Sequence, residues 1–188
     1  MRFAALAACL LACLAACSQP PDPSPKRYTD DTYLFSFIPP DGWKLTAHST
    51  EACLTSVEAV EGDCRFYVCV SERPEDFLPT TSDFANCELV KTYVQEKLKG
   101  YNVRCRPSLI DGRRTYDAIY LRNVADEAGT VRLQLVRQTF LARGRLLYTL
   151  TSYSFGASEQ ALKDASTPCD APIVRAEASF HLRPVPRH

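Results

Sequence analysis

The chain changes character twice along its length, as the pattern of its hydrophobic and polar positions shows. Residues 3–16 are all Phe, Ala, Leu or Cys, whereas residues 18–27 are polar and hold four prolines. From about residue 28 onward, short stretches rich in β-branched and aromatic residues alternate with Gly, Pro and Asp turn signals, which is typical of antiparallel strands. We therefore expect a single folded domain over residues 28–183, followed by an irregular tail over 184–188.

Eight stretches of this domain are predicted to be strands, because they are rich in apolar residues and turn residues bound them, and in 131–135 apolar and polar residues alternate. They are 33–38, 43–48, 53–60, 64–72, 101–110, 114–124, 130–142 and 146–155. Hairpins are expected to join 33–38 to 43–48, 53–60 to 64–72, and each of the last four strands to the next. The first such hairpin joins 33–38 to 43–48 through the turn at Asp41-Gly42.

A helix is predicted between the first four strands and the last four. It is capped by Thr81 or Ser82 and ended by Gly100, and its apolar residues recur at spacings of three and four. Those residues are Phe84, Cys87, Val90, Val94 and Leu98. Two shorter helices are predicted over 158–165 and 172–178. The sum is an α+β fold, a central antiparallel β-sheet flanked by helices.

The apolar run near the N-terminus indicates export. It follows Arg2 and covers fourteen residues, too few for a bilayer span of about 20, but typical of a secretory signal. The run ends in Leu14-Ala15-Ala16-Cys17, which resembles the lipobox of bacterial lipoproteins. That resemblance implies removal of residues 1–16, acylation of Cys17, with palmitate among the acyl chains, and a membrane anchor.

The cysteine count agrees with this interpretation. Cys9 and Cys13 leave with the signal, and acylation of Cys17 leaves an even set in an oxidising compartment, which predicts disulfides. The six candidates are Cys53, Cys64, Cys69, Cys87, Cys105 and Cys169. Fifteen pairings are open to six cysteines. No Cys-x-x-Cys occurs, and Cys64 and Cys69 lie at an odd separation in one strand, so we expect no metal site.

Residues 17–27 are predicted to be a tether. Their prolines favour an extended polyproline conformation, about 3.1 Å per residue, which would hold the domain roughly 30 Å from the lipid. Ser18, rather than Asp, follows the acylated cysteine, which resembles the outer-membrane address of enteric lipoproteins. We therefore expect attachment to the inner leaflet of the outer membrane, facing the periplasm, in preference to the inner membrane.

Two stretches of the domain resemble the PsbP-like superfamily. The residues from Tyr33 to Trp43, Tyr-Leu-Phe-Ser-Phe-Ile-Pro-Pro-Asp-Gly-Trp, are similar to its opening segment, and 147–151 with Ser179-Phe180 is similar to its closing strand and final helix. The resemblance implies an α/β/α sandwich. Members include a photosystem II extrinsic subunit, a Ran-binding nuclear import factor and bacterial lipoproteins, most of which bind proteins. The six domain cysteines are not part of that pattern.

Catalytic chemistry is not evident in the sequence. There is no Gly-rich phosphate loop and no Gly-x-Ser-x-Gly, and His48 is the one plausible catalytic base. Lys and Arg balance Asp and Glu at 22 each, so nothing steers the protein toward nucleic acid. Trp43, with the aromatic residues of 33–38, is interpreted as a core anchor in preference to a recognition surface. We predict no catalytic residues and no cofactor.

These observations favour a non-enzymatic accessory protein. The expected partners are a membrane, through the N-terminal lipid, and an unidentified envelope protein. One alternative is a periplasmic immunity protein that neutralises a secreted toxin. Another is an envelope enzyme whose unrecognised site gathers His48 with carboxylates.

Overall fold

The computed structural model describes residues 26–50, 52–73, 87–125 and 129–185. The predicted signal 1–16, Cys17, most of the tether, and the predicted helix cap at Thr81 or Ser82 lie outside the described residues. None of the helices in these ranges combines the length and the apolar character that crossing a bilayer requires.

The described residues form ten strands and two helices. In chain order, they are β1 (Tyr28–Asp30), β2 (Phe35–Phe37), β3 (Lys44–Thr50), β4 (Cys53–Glu61), β5 (Cys64–Glu72), α1 (Cys87–Glu96), β6 (Tyr101–Ile110), β7 (Arg113–Ala125), β8 (Val131–Arg143), β9 (Leu146–Gly156), α2 (Glu159–Ala178) and β10 (His181–Leu182).

Seven strands build one antiparallel sheet in the order β3-β4-β5-β9-β8-β7-β6. The predicted hairpins β4–β5, β6–β7, β7–β8 and β8–β9 are confirmed by their registers. The last strand, β9, lies in the middle and pairs with both β5 and β8. Because β9 joins the two halves of the chain, the sheet forms a single continuous platform.

The predicted hairpin between 33–38 and 43–48 is wrong. Strand β2 pairs with β1 and β10 in a separate three-stranded sheet, whereas β3 pairs with β4. Pro39 and Pro40 have no N–H to donate to a ladder, and Trp43 N donates to Pro40 O across a turn, at 3.3 Å, that leads the chain away from β2. Phe35 and Phe37 are both fully buried.

One face of the large sheet is covered by the small sheet and α2. Phe35 stacks on Phe180 with ring centroids 5.8 Å apart, and Phe37 meets Phe66 edge-on at 5.5 Å. The Tyr148 hydroxyl donates to the Tyr33 carbonyl at 2.7 Å, which ties β9 to the loop before β2. The main hydrophobic core therefore lies between the two sheets.

The other face carries α1 over the β6–β9 part of the sheet. Val90 and Val94 are buried there, and Tyr93 packs edge-on against Phe140 at 5.6 Å. Gly100 follows α1, but its role is close packing, because a Cβ at this position would lie 2.5 Å from the Tyr120 ring. The left-handed residue after the helix is Lys99 instead, with φ of 57°.

The predicted helices 158–165 and 172–178 are one continuous helix, α2, which contains Pro168 and Pro172. Each proline removes one helical hydrogen bond, which is why the sequence pattern favours a break. The buried side chains on both sides of the prolines hold the segment against the sheet and outweigh that cost. They are Leu162, Cys169, Ile173 and Ala176.

The α+β class holds in the coarse sense of an antiparallel sheet with helices, but the expected α/β/α sandwich is wrong. Only α1 and α2 are helical in the described part of the chain, one on each face, and much of the cover beside α2 is the small β-sheet. In an α/β/α sandwich this side of the core would be covered by a helical layer. Here residues 35–37, which form strand β2, cover part of it instead.

The six cysteines of the domain lie in three pairs at disulfide distance. Cys53–Cys69 joins β4 to β5, Cys64–Cys169 joins β5 to α2, and Cys87–Cys105 joins α1 to β6. Cys64 and Cys69 thus bond in different directions from one strand, as their odd separation predicts. Each helix is covalently linked to the sheet.

The loops that the disulfides close predict unequal contributions to stability. Cys64–Cys169 spans 105 residues, against 16 for Cys53–Cys69. By chain entropy, these bonds are worth about 4.7 and about 3 kcal/mol. We expect Cys64→Ala/Cys169→Ala to lower the free energy of unfolding by about 1.5 kcal/mol more than Cys53→Ala/Cys69→Ala does, as measured by urea denaturation.

Fragment mapping of the unreduced protein provides the control, since it identifies the three pairings without a mutation. Equal losses of stability in the two double variants would contradict the loop-length argument, and a different set of linked fragments would contradict the pairing itself.

Candidate functional site

A groove of about 690 Å³ opens between the start of the described chain, the turn after β2 and the last turns of α2. Trp43, Ile38 and Pro172 contribute apolar walls. Trp43 is only 8% exposed and also belongs to the main core, as the sequence predicts. Leu45, the neighbouring apolar residue on β3, is 38% exposed.

The local sequence determines the shape of this groove. Pro39 and Pro40 end β2, Gly42 takes a φ of 78° that favours glycine, and the chain turns to place Trp43 against the domain. On the opposite wall, Ser179 caps α2 and its hydroxyl accepts from Ile38 N at 2.7 Å. This hydrogen bond from a backbone amide to a side-chain hydroxyl ties the two walls together.

The charged groups of the groove are mostly basic. Lys26, Arg27 and Arg175 line it together with one carboxylate, Asp41. Arg27 Nη1 donates to Ser179 O at 3.1 Å and to the Ser36 hydroxyl, so this guanidinium is held in place. The local excess of two positive charges contrasts with the formal net charge of zero for the whole chain.

A second constellation is a buried charge cluster between α2 and the sheet, composed of Asp117, Arg137, Glu177, Arg106 and Thr139. Asp117 is 1% exposed and Glu177 2%. Arg137 donates to Asp117 Oδ2 through Nη2 at 2.9 Å and Nε at 3.2 Å. Its Nη2 also contacts Glu177 Oε2 at 2.6 Å, so one guanidinium bridges β7 and α2.

The two acids of the buried charge cluster titrate in opposite directions. Burial pushes the pKa of Asp117 upward, but the hydrogen bond from Thr139 and the charges of Arg137 and Arg106 outweigh it, so the pKa lies below its ordinary value. Burial raises the pKa of Glu177 to about 7, because the attraction of Arg137 does not offset the desolvation. Glu177 Oε1 has no hydrogen-bond partner among the described residues.

An acid with a pKa near 7 suits proton transfer, but its position decides against that role here. A cavity of about 270 Å³ adjoins the cluster. Its lining includes Arg106, Arg137, Ser152, Ser154 and Asp170, but not Glu177. Glu177 is also only 2% exposed, and its carboxylate contacts Arg137. We interpret the buried charge cluster as a structural clamp of α2 on the sheet.

For the polar residues that an enzyme site would need, the structure gives the strand position of His48 and the contacts of two carboxylates, Asp30 and Asp31. His48 lies on the edge strand β3 opposite Ser56. Asp30 Oδ1 accepts from Tyr33 N at 2.8 Å, and Asp31 forms an ion pair with Arg183. The neighbouring carboxylates Glu75 with Asp76 and Asp126 with Glu127 lie outside the described residues.

His181 forms a hydrogen-bonded pair with Asp111, whose second oxygen accepts from Leu182 N at 3.2 Å. This contact fastens β10 to the β6–β7 turn. Across the described ranges, no three His, Cys, Asp or Glu side chains converge in a way that suits a metal ion.

Sequence reasoning missed the buried charge cluster, although a signal for it exists. Asp117 and Arg137 occupy inward positions of β7 and β8, where the alternation calls for apolar residues. Glu177 lies beside the buried Ala176 near the end of α2. Charged residues at apolar positions of separate elements indicate ionic partners, but the sequence does not show which residues meet.

The raised pKa of Glu177 predicts a pH-dependent stability. The folded protein keeps a proton that the unfolded chain releases near pH 4.5, so this stabilisation is present at low pH and is lost as the pH rises through about 7. Glu177→Gln has no such proton. Between pH 5 and pH 8, we expect wild type to lose up to about 3 kcal/mol of unfolding free energy relative to this variant, as measured by urea denaturation.

Glu159→Gln is the matched control, since Glu159 lies on the same helix and is exposed. It should leave the pH profile unchanged. If the difference between wild type and Glu177→Gln stays constant from pH 5 to pH 8, the proposed titration of Glu177 is wrong.

Comparison with known proteins adds information on the fold. No protein-family model matches this chain, and a search of curated protein sequences gives no match. Among solved structures, the Ran-binding protein Mog1p of Saccharomyces cerevisiae is similar with a TM-score of 0.51, at 12% identity over 84% of this chain and 94% of that one.

Two further solved structures are similar at lower scores. The cyanobacterial PsbP protein of Synechocystis sp. PCC 6803 has a TM-score of 0.49 at 20% identity, over 84% of this chain and 91% of that chain. LpqN of Mycobacterium tuberculosis, which is involved in cell envelope biogenesis, has a TM-score of 0.47 at 10% identity, over 88% of each chain. The similarity to Mog1p extends over most of both chains and supports a shared overall fold.

Proposed function

We propose that this protein is a lipid-anchored accessory protein of a bacterial cell envelope, acylated at Cys17, whose domain faces the periplasm and binds another envelope protein. The inner leaflet of the outer membrane is the proposed site of attachment, because Ser18 follows the acylated cysteine. Fold similarity alone does not assign a function, so the proposal depends on this chain's own residues.

The pairing of the cysteines carries the proposal. All six cysteines after Cys17 bond with one another in the structure, so none remains as a disulfide partner for Cys17. Three disulfides in one domain are typical of an oxidising compartment, where a reactive unpaired thiol is uncommon. Acylation accounts for Cys17, and the apolar run before it accounts for export.

The anchor supports a binding role. Two or more acyl chains hold a protein stably at a membrane, whereas one chain holds it only reversibly. Confinement near the bilayer raises the effective concentration of the domain toward membrane-associated partners, which favours binding without new contacts. A disulfide-secured domain on a short tether therefore suits the presentation of a stable surface to another envelope protein.

The anchor is tested by replacing Cys17 with Ser behind a cleavable secretory signal in place of residues 1–16. Since this chain carries no acyl group, we expect nearly all of it in the soluble periplasmic fraction after a high-salt wash, and the wild type in the membrane fraction. Immunoblotting of the fractions measures the outcome.

Cys13→Ser in the native signal is the matched control, since it also removes a cysteine from the apolar region and should leave attachment unchanged. Mass spectrometry of the native protein should show acyl groups on Cys17 as the first residue. An unmodified thiol there, with Met1 retained, would end the proposal.

The protein-binding role is tested by crosslinking in intact envelopes. We expect one envelope protein to be crosslinked repeatedly to the wild type, and less efficiently to the unanchored Cys17→Ser chain, because the local concentration is lower. Equal crosslinking of many unrelated proteins by both chains would count against a specific partner.

A further inference from the structure

We propose that the groove lined by Trp43 is a membrane-docking face that binds the headgroups of anionic phospholipids in the membrane to which Cys17 is attached. This inference deepens the proposed function and rests on it, since the anchor brings the groove to the bilayer. The proposal assigns the face by which the domain is oriented at the membrane.

Charge complementarity is the first support. Lys26, Arg27 and Arg175 line the groove against the single carboxylate of Asp41. The chain as a whole has no net charge, so long-range attraction to an anionic surface has to come from a local excess such as this one. Phosphate groups accept hydrogen bonds from guanidinium and ammonium groups, which these three residues supply.

The length of chain between Cys17 and the groove is the second support. Lys26, which lines the groove, is nine residues after Cys17 in the sequence. Nine residues reach at most about 32 Å even when fully extended. The groove is therefore the part of the domain to which the anchor is attached, and it remains within that distance of the bilayer.

The aromatic and apolar residues of the groove are the third support. Tryptophan and tyrosine are enriched at the level of lipid headgroups, where an apolar ring and a polar edge are both accommodated. Tyr28 lines the groove beside the basic groups and Leu45, 38% exposed, supplies apolar surface, whereas Trp43, only 8% exposed, forms the wall behind them. A polar rim over an apolar wall matches the boundary between headgroup and acyl chain.

An acidic segment of another protein would also complement the basic groups. The attachment point favours lipid, because the tether holds this groove near the bilayer whether or not a protein partner is present. Binding of an acidic protein at the groove, without binding to anionic vesicles, would overturn the proposal.

The chain contains its own reporter, because Trp43 is its single tryptophan and lines the groove. The exported, disulfide-bonded Cys17→Ser chain is mixed with vesicles of phosphatidylglycerol and phosphatidylcholine that carry a dansyl-labelled lipid. We expect energy transfer from Trp43 to the dansyl group on the anionic vesicles, and none on vesicles of phosphatidylcholine alone. Raising the salt to about 1 M should abolish it, because screening shortens the Debye length to about 3 Å.

Two exposed basic residues of the groove are suitable for substitution. Lys26→Gln and Arg175→Gln should each weaken partitioning about fivefold, which corresponds to about 1 kcal/mol per basic residue, and the double variant about 25-fold. Arg27 is left unchanged, since it also bonds to Ser36 and Ser179 within the fold. Lys99→Gln with Lys163→Gln removes two exposed charges elsewhere and should leave partitioning unchanged.

Three results would overturn the docking face: no transfer on anionic vesicles, equal binding to phosphatidylcholine, or an equal loss in the Lys99/Lys163 control. Each is distinguishable from failure of the anchor. If the wild type is acylated at Cys17 but the unanchored chain does not bind anionic vesicles, the anchor stands and the docking face is wrong.

Discussion

The attachment of α2 to the sheet is the constraint on which the rest of the structure depends. One covalent bond, Cys64–Cys169, and one ionic contact, Arg137 to Glu177, hold the helix against the sheet. Both prolines of α2 lie within or beside this attached length, so the helix continues through a sequence that disfavours it. The groove depends on the same attachment, since Pro172 and Arg175 form one of its walls.

The buried charge cluster holds α2 at a high cost in desolvation free energy. Desolvation of a buried ion pair often cancels its Coulombic gain, and an apolar contact of similar volume commonly does as well. Here two carboxylates share Arg137, and the raised pKa of Glu177 shows that the sharing is incomplete. We expect a cluster of this kind to contribute more to the register of α2 than to net stability, because Arg137 meets the Glu177 carboxylate in one position of the helix along its axis.

Local patterns predicted most of the large sheet correctly, but of the small sheet they predicted only the strand β2 and none of its pairing. Strands β4–β9 follow from alternation and from turn residues such as Asp111-Gly112, because their partners are neighbours in sequence. Strand β2 pairs with β10, so that Ser36 lies opposite His181. These two residues are far apart along the chain, and no local sequence signal encodes such a pairing. The cysteine count predicted disulfides without their connectivity for the same reason. Trp43 was placed correctly in the core, but its second role in a groove depends on Arg175, far away in the chain.

A weak docking face is sufficient on an anchored protein, which explains why the groove has three basic residues rather than a dense basic patch. Three cations near an anionic surface are worth about 3 kcal/mol, less than the roughly 4.1 kcal/mol of a millimolar complex, so a free domain binds anionic vesicles only weakly, at lipid concentrations of several millimolar. A short tether presents the groove to headgroups at an effective concentration in the millimolar range or above. Under that condition a contact of this strength selects orientation without adding much retention. The domain then exposes a constant side to the periplasm and remains able to lift away, because salt or a competing partner needs to overcome only a few kilocalories per mole.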